Sequence, residues 1–594
     1  MFHVARKIMS SQEYLKAKKW AEDTYFDSQD RDQIHQLLES WPASENELKE
    51  RFYKDLEFGT GGLRAPMGMG PNRMNKYNVR RATQALAENV KKLTKEGRAV
   101  ISYDSRHCSK EFALEAALVF AANDIKTYLF HELTPTPILS YAIRELKAQT
   151  GIMITASHNP PIYNGFKAFW VDGAQVVPPV DQRIIDSYDS LNDWSKIQYV
   201  DLEKAQEKKL IEDVPNEIFE KFYHLISTDV IQDLALTQEH GHELSIVYTA
   251  LHGTGQVPCM EILKRLGFSQ SRCIEEQMNP DGNFSTVKSP NPEDPKALKL
   301  AVDEMLKIKA DLVMGTDPDC DRLGAVINDH GTPFYLNGNQ IGVLMIEYVL
   351  SRKQKQKRLT KDSVLLKSIV TSTMQNTIAK SFNVKVEETL TGFKWMAGKL
   401  NEWENKSHPF DFIFASEESF GYMPHCSSRD KDGVSSVALM SEIALYYKRQ
   451  QLNLREALDK LYLQYGFFQE SLLSFDYEGL QGSEKIKRIM ENFRSQAQSF
   501  FTEKIARVED YQLQVLKDLE LMTEIKLDLP KSNVIGLEFT SGDKLYLRPS
   551  GTEPKIKFYT MIKSDSGSLE ERKLKAKAKV NNIEEIISLI CEKI

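Results

Sequence analysis

Apolar and polar positions along the chain fall into a rhythm of short apolar runs separated by amphipathic stretches. Helix-spaced segments at 78–95, 111–123 and 137–147 alternate with apolar runs at 99–103, 125–130 and 151–154. Strands separated by helices of this length predict a parallel sheet covered on both faces. The rhythm restarts twice. One round places strands at 245–250 and 311–314 with helices at 258–266 and 295–307. The next places strands at 363–370, 384–387 and 412–414 with helices at 374–382 and 435–449. Each round feeds an apolar strand into a polar loop, at Ser157, at Asp317 and at Glu417. The repetition is of topology and not of residues.

The ends differ. Residues 1–53 are charged and helix-like, with Trp20, Tyr25, Leu37, Leu38 and Trp41 as anchors, and are expected to lie as helices on the first domain. Residues 452–517 are expected to be mostly helical. Antiparallel strands follow at 534–539, 544–547 and 555–561, with a hairpin turn at Ser541-Gly542-Asp543 and a closing helix from Leu569. Turn residues and charge gather near Leu210, Asn328 and Gln451. They divide the chain into 1–57, 58–210, 211–327, 328–451 and 452–594.

Composition narrows the class. A chain of 594 residues is too long for one core, and its length suggests about four domains. A hydrophobic share of 41% and a net charge of −7 describe an ordinary globular protein and argue against a general nucleic-acid binder. The basic run 352–358 reads as a solvated linker. Six cysteines are scattered without a C-x-x-C pair, so no zinc site or disulfide framework follows. Residues 1–20 lack the apolar core of a signal peptide and no segment reads as a membrane span, so a cytoplasmic location is expected.

The loops carry the chemistry. Thr155-Ala156-Ser157-His158-Asn159-Pro160 presents a serine hydroxyl at the carboxyl end of a strand, where open α/β sheets place ligands. Pro160 and Pro161 prevent a helix from following. Gly-x-Ser-x-Gly is absent, which sets aside an elbow-type hydrolase. His158 is placed to act as a base or as a hydrogen-bond partner. Asp317-Pro318-Asp319-Cys320-Asp321-Arg322 puts carboxylates at i, i+2 and i+4, and in extended backbone these converge on one point. Three such charges disfavour one another without a cation, and oxygen ligands select Mg²⁺ before Ca²⁺ or Mn²⁺. An EF-hand does not fit, because Arg322 and Asn328 stand where glycine and glutamate are needed.

Three further loops are weaker alone. Phe58-Gly59-Thr60-Gly61-Gly62-Leu63-Arg64 can bring backbone N–H groups to a phosphate but is not a P-loop. Arg548-Pro549-Ser550-Gly551-Thr552-Glu553-Pro554-Lys555 has the parts of a phosphate clamp, and equally those of an ordinary hairpin end. Thr391-Gly392 and Glu417-Glu418-Ser419-Phe420-Gly421 offer groups suited to sugar hydroxyls, or to solvated strand ends.

Together, and in this order, the loops at 155–160, 317–322, 417–421 and 548–555 resemble the α-D-phosphohexomutase superfamily, and within it the long bacterial phosphoglucomutases. The resemblance runs from about Phe58 to Met561. It implies an α/β architecture of four domains around a central cleft: three related α/β domains and a smaller α+β C-terminal domain. By the same resemblance Ser157 carries a phosphoryl group, and Asp317, Asp319 and Asp321 bind one Mg²⁺ together with Ser157. Glu417 and Ser419, with Thr391 and Gly392, would grip sugar hydroxyls. Arg548, Ser550, Gly551 and Thr552 would hold the non-reacting phosphate. Arg64, His158, Lys167, Arg322 and Lys431 match charged family positions, and His158, Lys167 and Lys431 are candidates for proton transfer. Cys320 stands where alanine or glycine is commoner.

The expected activity is interconversion of glucose 1-phosphate and glucose 6-phosphate, with glucose 1,6-bisphosphate as intermediate and activator. The expected partners are hexose phosphates, with no nucleic acid and no membrane, for a monomer or weak homodimer. Rival readings are a phosphopentomutase or phosphomannomutase of the same family, a metal-dependent sugar phosphatase, and a non-catalytic sugar-phosphate binder.

Overall fold

The computed structural model describes residues 11–59, 61–406, 409–477, 479–550 and 554–594. The chain divides into two compact units. The first comprises Met1–Leu336, Phe393–His408 and Gly421–Tyr446, and the second Asn337–Gly392, Pro409–Phe420 and Tyr447–Ile594.

In the first unit a six-stranded sheet contains β1 (Gly62–Pro66), β2 (Arg98–Tyr103), β3 (Lys126–Leu129), β4 (Thr150–Ile154), β5 (Tyr163–Trp170) and β6 (Ile211–Asp213), ordered β1-β5-β4-β2-β3-β6. β2 pairs in parallel with β3 and β4, while β5 pairs antiparallel to β4 and β1. Every residue of β4 is buried. Ile152 and Ile154 enter a core shared with the helices Lys76–Leu93 and Ser109–Ala122. Gly151 lies against Ile143 of the helix Thr136–Glu145. Alternate residues therefore serve opposite faces, which explains why an uninterrupted apolar run suits this central strand.

The second sheet has β7 (Ile246–Thr249), β8 (Ser271–Cys273), β9 (Leu312–Thr316), β10 (Leu323–Asp329) and β11 (Thr332–Leu336), ordered β11-β10-β9-β7-β8. β9, buried throughout, runs parallel to β7 and delivers the chain to Asp317; β10 returns antiparallel to it. Three amino-terminal helices, Gln12–Glu22, Ser28–Glu39 and Glu45–Phe52, bring Trp20, Leu48 and Phe52 into one cluster with Tyr77 and with Phe26 from the connection between the first two. The Tyr77 hydroxyl donates to Asp30 Oδ2 at 2.7 Å, so the ring's polar tip is satisfied where its body is buried.

In the second unit β12 (Ser363–Ser368) pairs in parallel with β13 (Lys385–Thr389) and β14 (Asp411–Glu417). The helix Gly338–Lys355 begins with a capping box between Asn337 and Gln340. A seven-stranded sheet follows, in the order Phe467–Asp476, Lys555–Ser564, Lys544–Pro549, Ile535–Phe539, Ile505–Asp510, Val515–Asp518, Thr523–Lys526. The largely helical reading of 452–517 is therefore corrected. Helices Leu454–Tyr465 and Gly479–Gln496 are present, but Phe467–Asp476 and two further strands lie in the same span. Phe467–Asp476 mixes leucine, glutamine and glutamate, which suit a helix, with three phenylalanines, which suit a strand. Register pairing with Lys555–Ser564 along its whole length, under the cover of the helix Leu569–Lys593, makes it a strand. No helix among the described residues is long and apolar enough to cross a membrane.

Candidate active site

The serine loop begins where β4 ends. Thr155 Oγ1 donates to Asp104 Oδ2 at 2.6 Å and accepts the Ser157 N–H at 2.8 Å. These bonds hold Ser157 at φ 51°, a left-handed conformation that a non-glycine residue adopts at a cost. Ser157 is only 4% exposed. Its Oγ donates to Asp317 Oδ2 at 2.7 Å and lies 3.2 Å from His158 Nδ1. Gly165 on β5 makes the close packing feasible, since a Cβ there would stand 2.5 Å from the Thr155 carbonyl oxygen and 2.8 Å from that of Leu63.

The aspartates do converge, but not along extended backbone as the spacing suggested. Cys320 N donates to the Asp317 carbonyl at 2.8 Å, and Cys320 sits at φ 52°, so a tight turn brings the carboxylates together. Asp317 Oδ1 accepts the N–H groups of Asp321 and Arg322, each at 3.1 Å. Cys320 is buried with its Sγ 3.8 Å from that of Cys259. One oxygen from each of Asp317, Asp319 and Asp321 lies within 4.8 Å of the others.

Cations ring these carboxylates. Lys167 Nζ on β5 lies 2.6 Å from Asp319 Oδ2 and 3.2 Å from Asp321 Oδ2, and Lys431 Nζ lies 3.0 Å from Asp321 Oδ2. Arg322 pairs with Glu293, and its Nε is 4.0 Å from Asp317 Oδ2. Burial, then the charges of Asp321 and Asp319, push the Asp317 carboxyl well above its ordinary range. Asp321 goes the other way: burial opposes it, but Lys431 and Lys167 hold its carboxyl down. Burial, with Arg322 and Arg64 nearby, pushes the His158 imidazole down to about 2. Arg64 is exposed and reaches Asn159 Oδ1 at 3.2 Å.

Two buried oxygens, Asp319 Oδ1 and Asp321 Oδ1, accept no hydrogen bond from the described residues. Orphaned anionic oxygens are costly in a dry interior. Their presence beside Ser157 and Asp317 gives an all-oxygen donor set that fits a hard divalent cation.

In the second unit Glu417 closes β14, is 4% exposed, and accepts the Gly392 N–H on Oε1. Gly392 stands at φ 117°, a conformation that favours glycine, with Thr391 before it. Burial pushes the Glu418 carboxyl up, while Ser368, which donates to it at 3.1 Å, and the charges of Arg548 and Lys557 pull it back. Ser419 follows, half-buried. Arg548 is the penultimate residue of the strand Lys544–Pro549, and Ser550 N donates to the Lys555 carbonyl at 2.7 Å. Gly551 and Thr552 lie outside the described residues.

Comparison with known proteins decides the family. Profiles described as phosphoglucomutase/phosphomannomutase alpha/beta/alpha domains I, II and III match residues 55–193, 222–331 and 337–465. The chain is 37% identical over 521 residues to a phosphoglucomutase of Staphylococcus epidermidis RP62A, spanning 87% of this chain and 93% of the relative. The chain belongs to the phosphoglucomutase/phosphomannomutase family. A phosphoglucomutase of Staphylococcus aureus MRSA252 is 38% identical, over 88% of this chain and 92% of its own. Among solved structures, the open form of the Paramecium phosphoglucomutase pp63/parafusin superposes with a TM-score of 0.69 at 20% identity, covering 91% of this chain and 96% of that one. A phosphomannomutase-like protein of Thermus thermophilus gives 0.63 at 19%, covering 89% and 99%. These last two likenesses establish the shared fold.

Within this family member, the first unit brings Ser157, His158, Lys167, Asp317, Asp319, Asp321, Arg322 and Lys431 into one cluster, with Arg64 reached through Asn159. Thr391, Gly392, Glu417, Ser419, Arg548 and Ser550 belong to the second unit. The sequence reading missed Thr136, which donates its hydroxyl to Asp319 Oδ2 at 2.9 Å and its N–H to the Asp319 carbonyl at 3.0 Å. It also missed Asp104. A threonine opening a helix and an aspartate closing a strand carry no signal of their own until the sheet brings them to the loops.

Proposed function

We propose that the chain is a phosphoglucomutase, converting glucose 1-phosphate and glucose 6-phosphate into one another with Ser157 Oγ as phosphoryl carrier. The observation that carries this reading is the 2.7 Å bond between Ser157 Oγ and Asp317, inside a buried carboxylate cluster edged by Lys167, Lys431 and Arg322. Asp317, Asp319 and Asp321, with an oxygen on Ser157, would hold one Mg²⁺. When bound, that ion supplies charge neutralisation on the transferring phosphoryl group.

The chain's own groups do the rest. In the first half, the 6-hydroxyl oxygen of glucose 1-phosphate bonds to the seryl phosphorus as the Ser157 Oγ–P bond breaks, and the hydroxyl proton passes to a base. The product is glucose 1,6-bisphosphate. After the intermediate reorients, Ser157 Oγ bonds to the phosphorus at carbon 1 and the O1–P bond breaks. O1 takes a proton, and glucose 6-phosphate leaves. His158, 3.2 Å from the Ser157 hydroxyl, and Lys167 and Lys431, paired with Asp319 and Asp321, are the candidates for proton transfer, and Lys167 and Arg322 would add fixed positive charge where the phosphoryl group moves. Glu417, Ser419, Thr391 and Gly392 are assigned sugar hydroxyls. Arg548, Ser550, Gly551 and Thr552 are assigned the phosphate that does not react, a task for a guanidinium with short neutral donors.

The names of the Staphylococcus relatives support glucose as the sugar. The family description also names phosphomannomutases, which keeps mannose 1-phosphate as the second substrate to assay. The test is an assay with glucose 1-phosphate, Mg²⁺ and a trace of glucose 1,6-bisphosphate, set against mannose and ribose 1-phosphates. Glucose 6-phosphate should form fastest, with almost no inorganic phosphate. Steady release of phosphate would replace this reading with a sugar phosphatase, and a preference for another sugar would reassign the substrate.

A further inference from the structure

Arg106 lies beneath the serine loop, only 3% exposed, and no step above uses it. Its Nη1 donates to the carbonyls of Pro160 and Tyr163, each at 2.9 Å, and its Nη2 to those of Ser157 and Asn159, each at 2.5 Å. Its Nε lies 3.2 Å from Asp104 Oδ2. A guanidinium has five N–H bonds in a fixed plane, and here four converge on carbonyls of one seven-residue stretch, while Nε sits beside a carboxylate without a hydrogen bond to it. Lysine, a flexible point charge, lacks the fan of donors that holds four carbonyls at once. The Arg106 plane also faces the Phe284 ring at 4.9 Å, a contact from beyond the first sheet.

Elsewhere the same stretch is held by Ser289 Oγ on the His158 carbonyl at 2.6 Å, by Met67 N on the Ile162 carbonyl at 2.8 Å and by Arg64 on Asn159 Oδ1, but none of these reaches the carbonyl of Ser157. Pro160 and Pro161 offer no N–H, and the loop's own backbone bonds are Asn159 N to the Ala156 carbonyl and Tyr163 N to the Pro160 carbonyl. Carbonyls of successive residues repel unless a donor stands between them. Asp104 completes the arrangement. Its Oδ1 accepts the Arg106 N–H at 3.0 Å and the Ser109 hydroxyl at 2.8 Å, while its Oδ2 accepts the Thr155 hydroxyl that in turn anchors Ser157 N. Ser157 is thus fixed through both its N–H and its carbonyl, and both anchors trace to Asp104 and Arg106.

We infer that Arg106 is a positioning residue for the phosphoryl-carrying serine: its four bonds to carbonyls of the 157–163 loop hold Ser157 in the left-handed conformation that aims Oγ at Asp317. The claim that this positioning serves catalysis rests on the proposed mutase reading; the claim that it fixes the loop does not. A misplacement of about 1 Å at a reacting atom costs on the order of 10²-fold in rate.

The experiment compares wild type with R106K and R106Q in two arms. The first measures kcat and KM for glucose 1-phosphate with Mg²⁺ and a trace of glucose 1,6-bisphosphate. The second measures backbone hydrogen exchange over 156–164. In R106K, kcat should fall about 100-fold with KM within about threefold. Exchange in the loop should rise at least about tenfold while β2 and β4 keep their protection. Wild-type exchange in the loop, or faster exchange with unchanged kcat, would overturn the inference. So would a loss shared equally by kcat and KM, or failure of both variants to fold, since Arg106 would then hold the domain and not the loop. A wild-type protein that does not interconvert the sugar phosphates would overturn the mutase reading alone, and the exchange arm would still decide whether Arg106 fixes the loop.

Discussion

Ser157 Oγ donates a 2.7 Å hydrogen bond to Asp317 Oδ2 across 160 positions of sequence. Two sheets make that bond. β4 ends in a loop bent to the left-handed region at Ser157, and β9 ends in a turn that gathers Asp317, Asp319 and Asp321. Every prediction below concerns what stands around that bond or what supports it, with one exception at Glu347.

Metal binding should depend on the orphaned oxygens. Asp319→Asn replaces a buried carboxylate with a neutral amide, while Asp321 keeps Lys167, Lys431 and Arg322 beside it. A ligand present at 100 times its dissociation constant stabilises a fold by about 2.7 kcal/mol. Wild type should gain stability of about that size with Mg²⁺ at 100 times its dissociation constant, read as a rise in melting temperature, and the variant should show almost none. An equal rise in both would remove Asp319 from the ion.

Lys167 competes with a cation for Asp319 Oδ2, at 2.6 Å, and supplies positive charge to the reaction. Its loss should separate the two roles. Lys167→Met should lower kcat by about 10²-fold or more while strengthening Mg²⁺ binding, because two buried carboxylates lose their neutralising partner. Calorimetric titration of Mg²⁺ beside the activity assay checks both directions.

Gly165→Ala tests the packing beneath the loop. The added Cβ would stand 2.5 Å from the Thr155 carbonyl oxygen, and backbone must move to admit it. Overpacking of this kind costs about 1–3 kcal/mol. Activity should fall further than stability, because the displaced carbonyl belongs to Thr155, whose hydroxyl ties Ser157 to Asp104. Chemical denaturation and kcat on the same preparation would show it.

One pH effect lies away from the active site, at Glu347. Burial raises its carboxyl above the ordinary range, partly offset by the Tyr447 hydroxyl, which donates at 3.3 Å. A carboxyl raised in the folded state costs stability once both states have ionised. That cost vanishes as pH falls below the ordinary glutamate range near 4.3. Glu347→Gln should therefore unfold at higher temperature than wild type at pH 7, with the difference shrinking toward pH 4. Melting curves across that range give the sign.

How much of this was legible in the chain follows from the kind of signal each residue carries. β2, β4 and β9 are buried on both faces, so continuous apolar runs betray them, and Ser157 and Asp317 follow directly from where those runs stop. The convergence of the aspartates was legible and its geometry was not. Left-handed Cys320 turns the loop, and nothing in a cysteine announces that conformation. Thr136, Asp104 and Arg106 were invisible because the groups that give them a role, the Asp319 carboxylate and carbonyl, the Thr155 hydroxyl and the carbonyls of 157–163, are brought near only by the folded sheet. Phe467–Asp476 was misread because its flanks are charged and helical, while its pairing depends on a strand about ninety residues later.

The central claim is that the hydroxyl of Ser157 carries the phosphoryl group. The direct measurement is intact and peptide mass after incubation with glucose 1,6-bisphosphate and Mg²⁺, followed by a chase with glucose 1-phosphate, for wild type and Ser157→Ala. The account predicts one phosphoryl group per wild-type chain, located on Ser157 and passed to the sugar in the chase, with none on the variant and no isomerisation by it. A wild-type chain that stays unmodified while turning over, or one that carries the group on another residue, would contradict it.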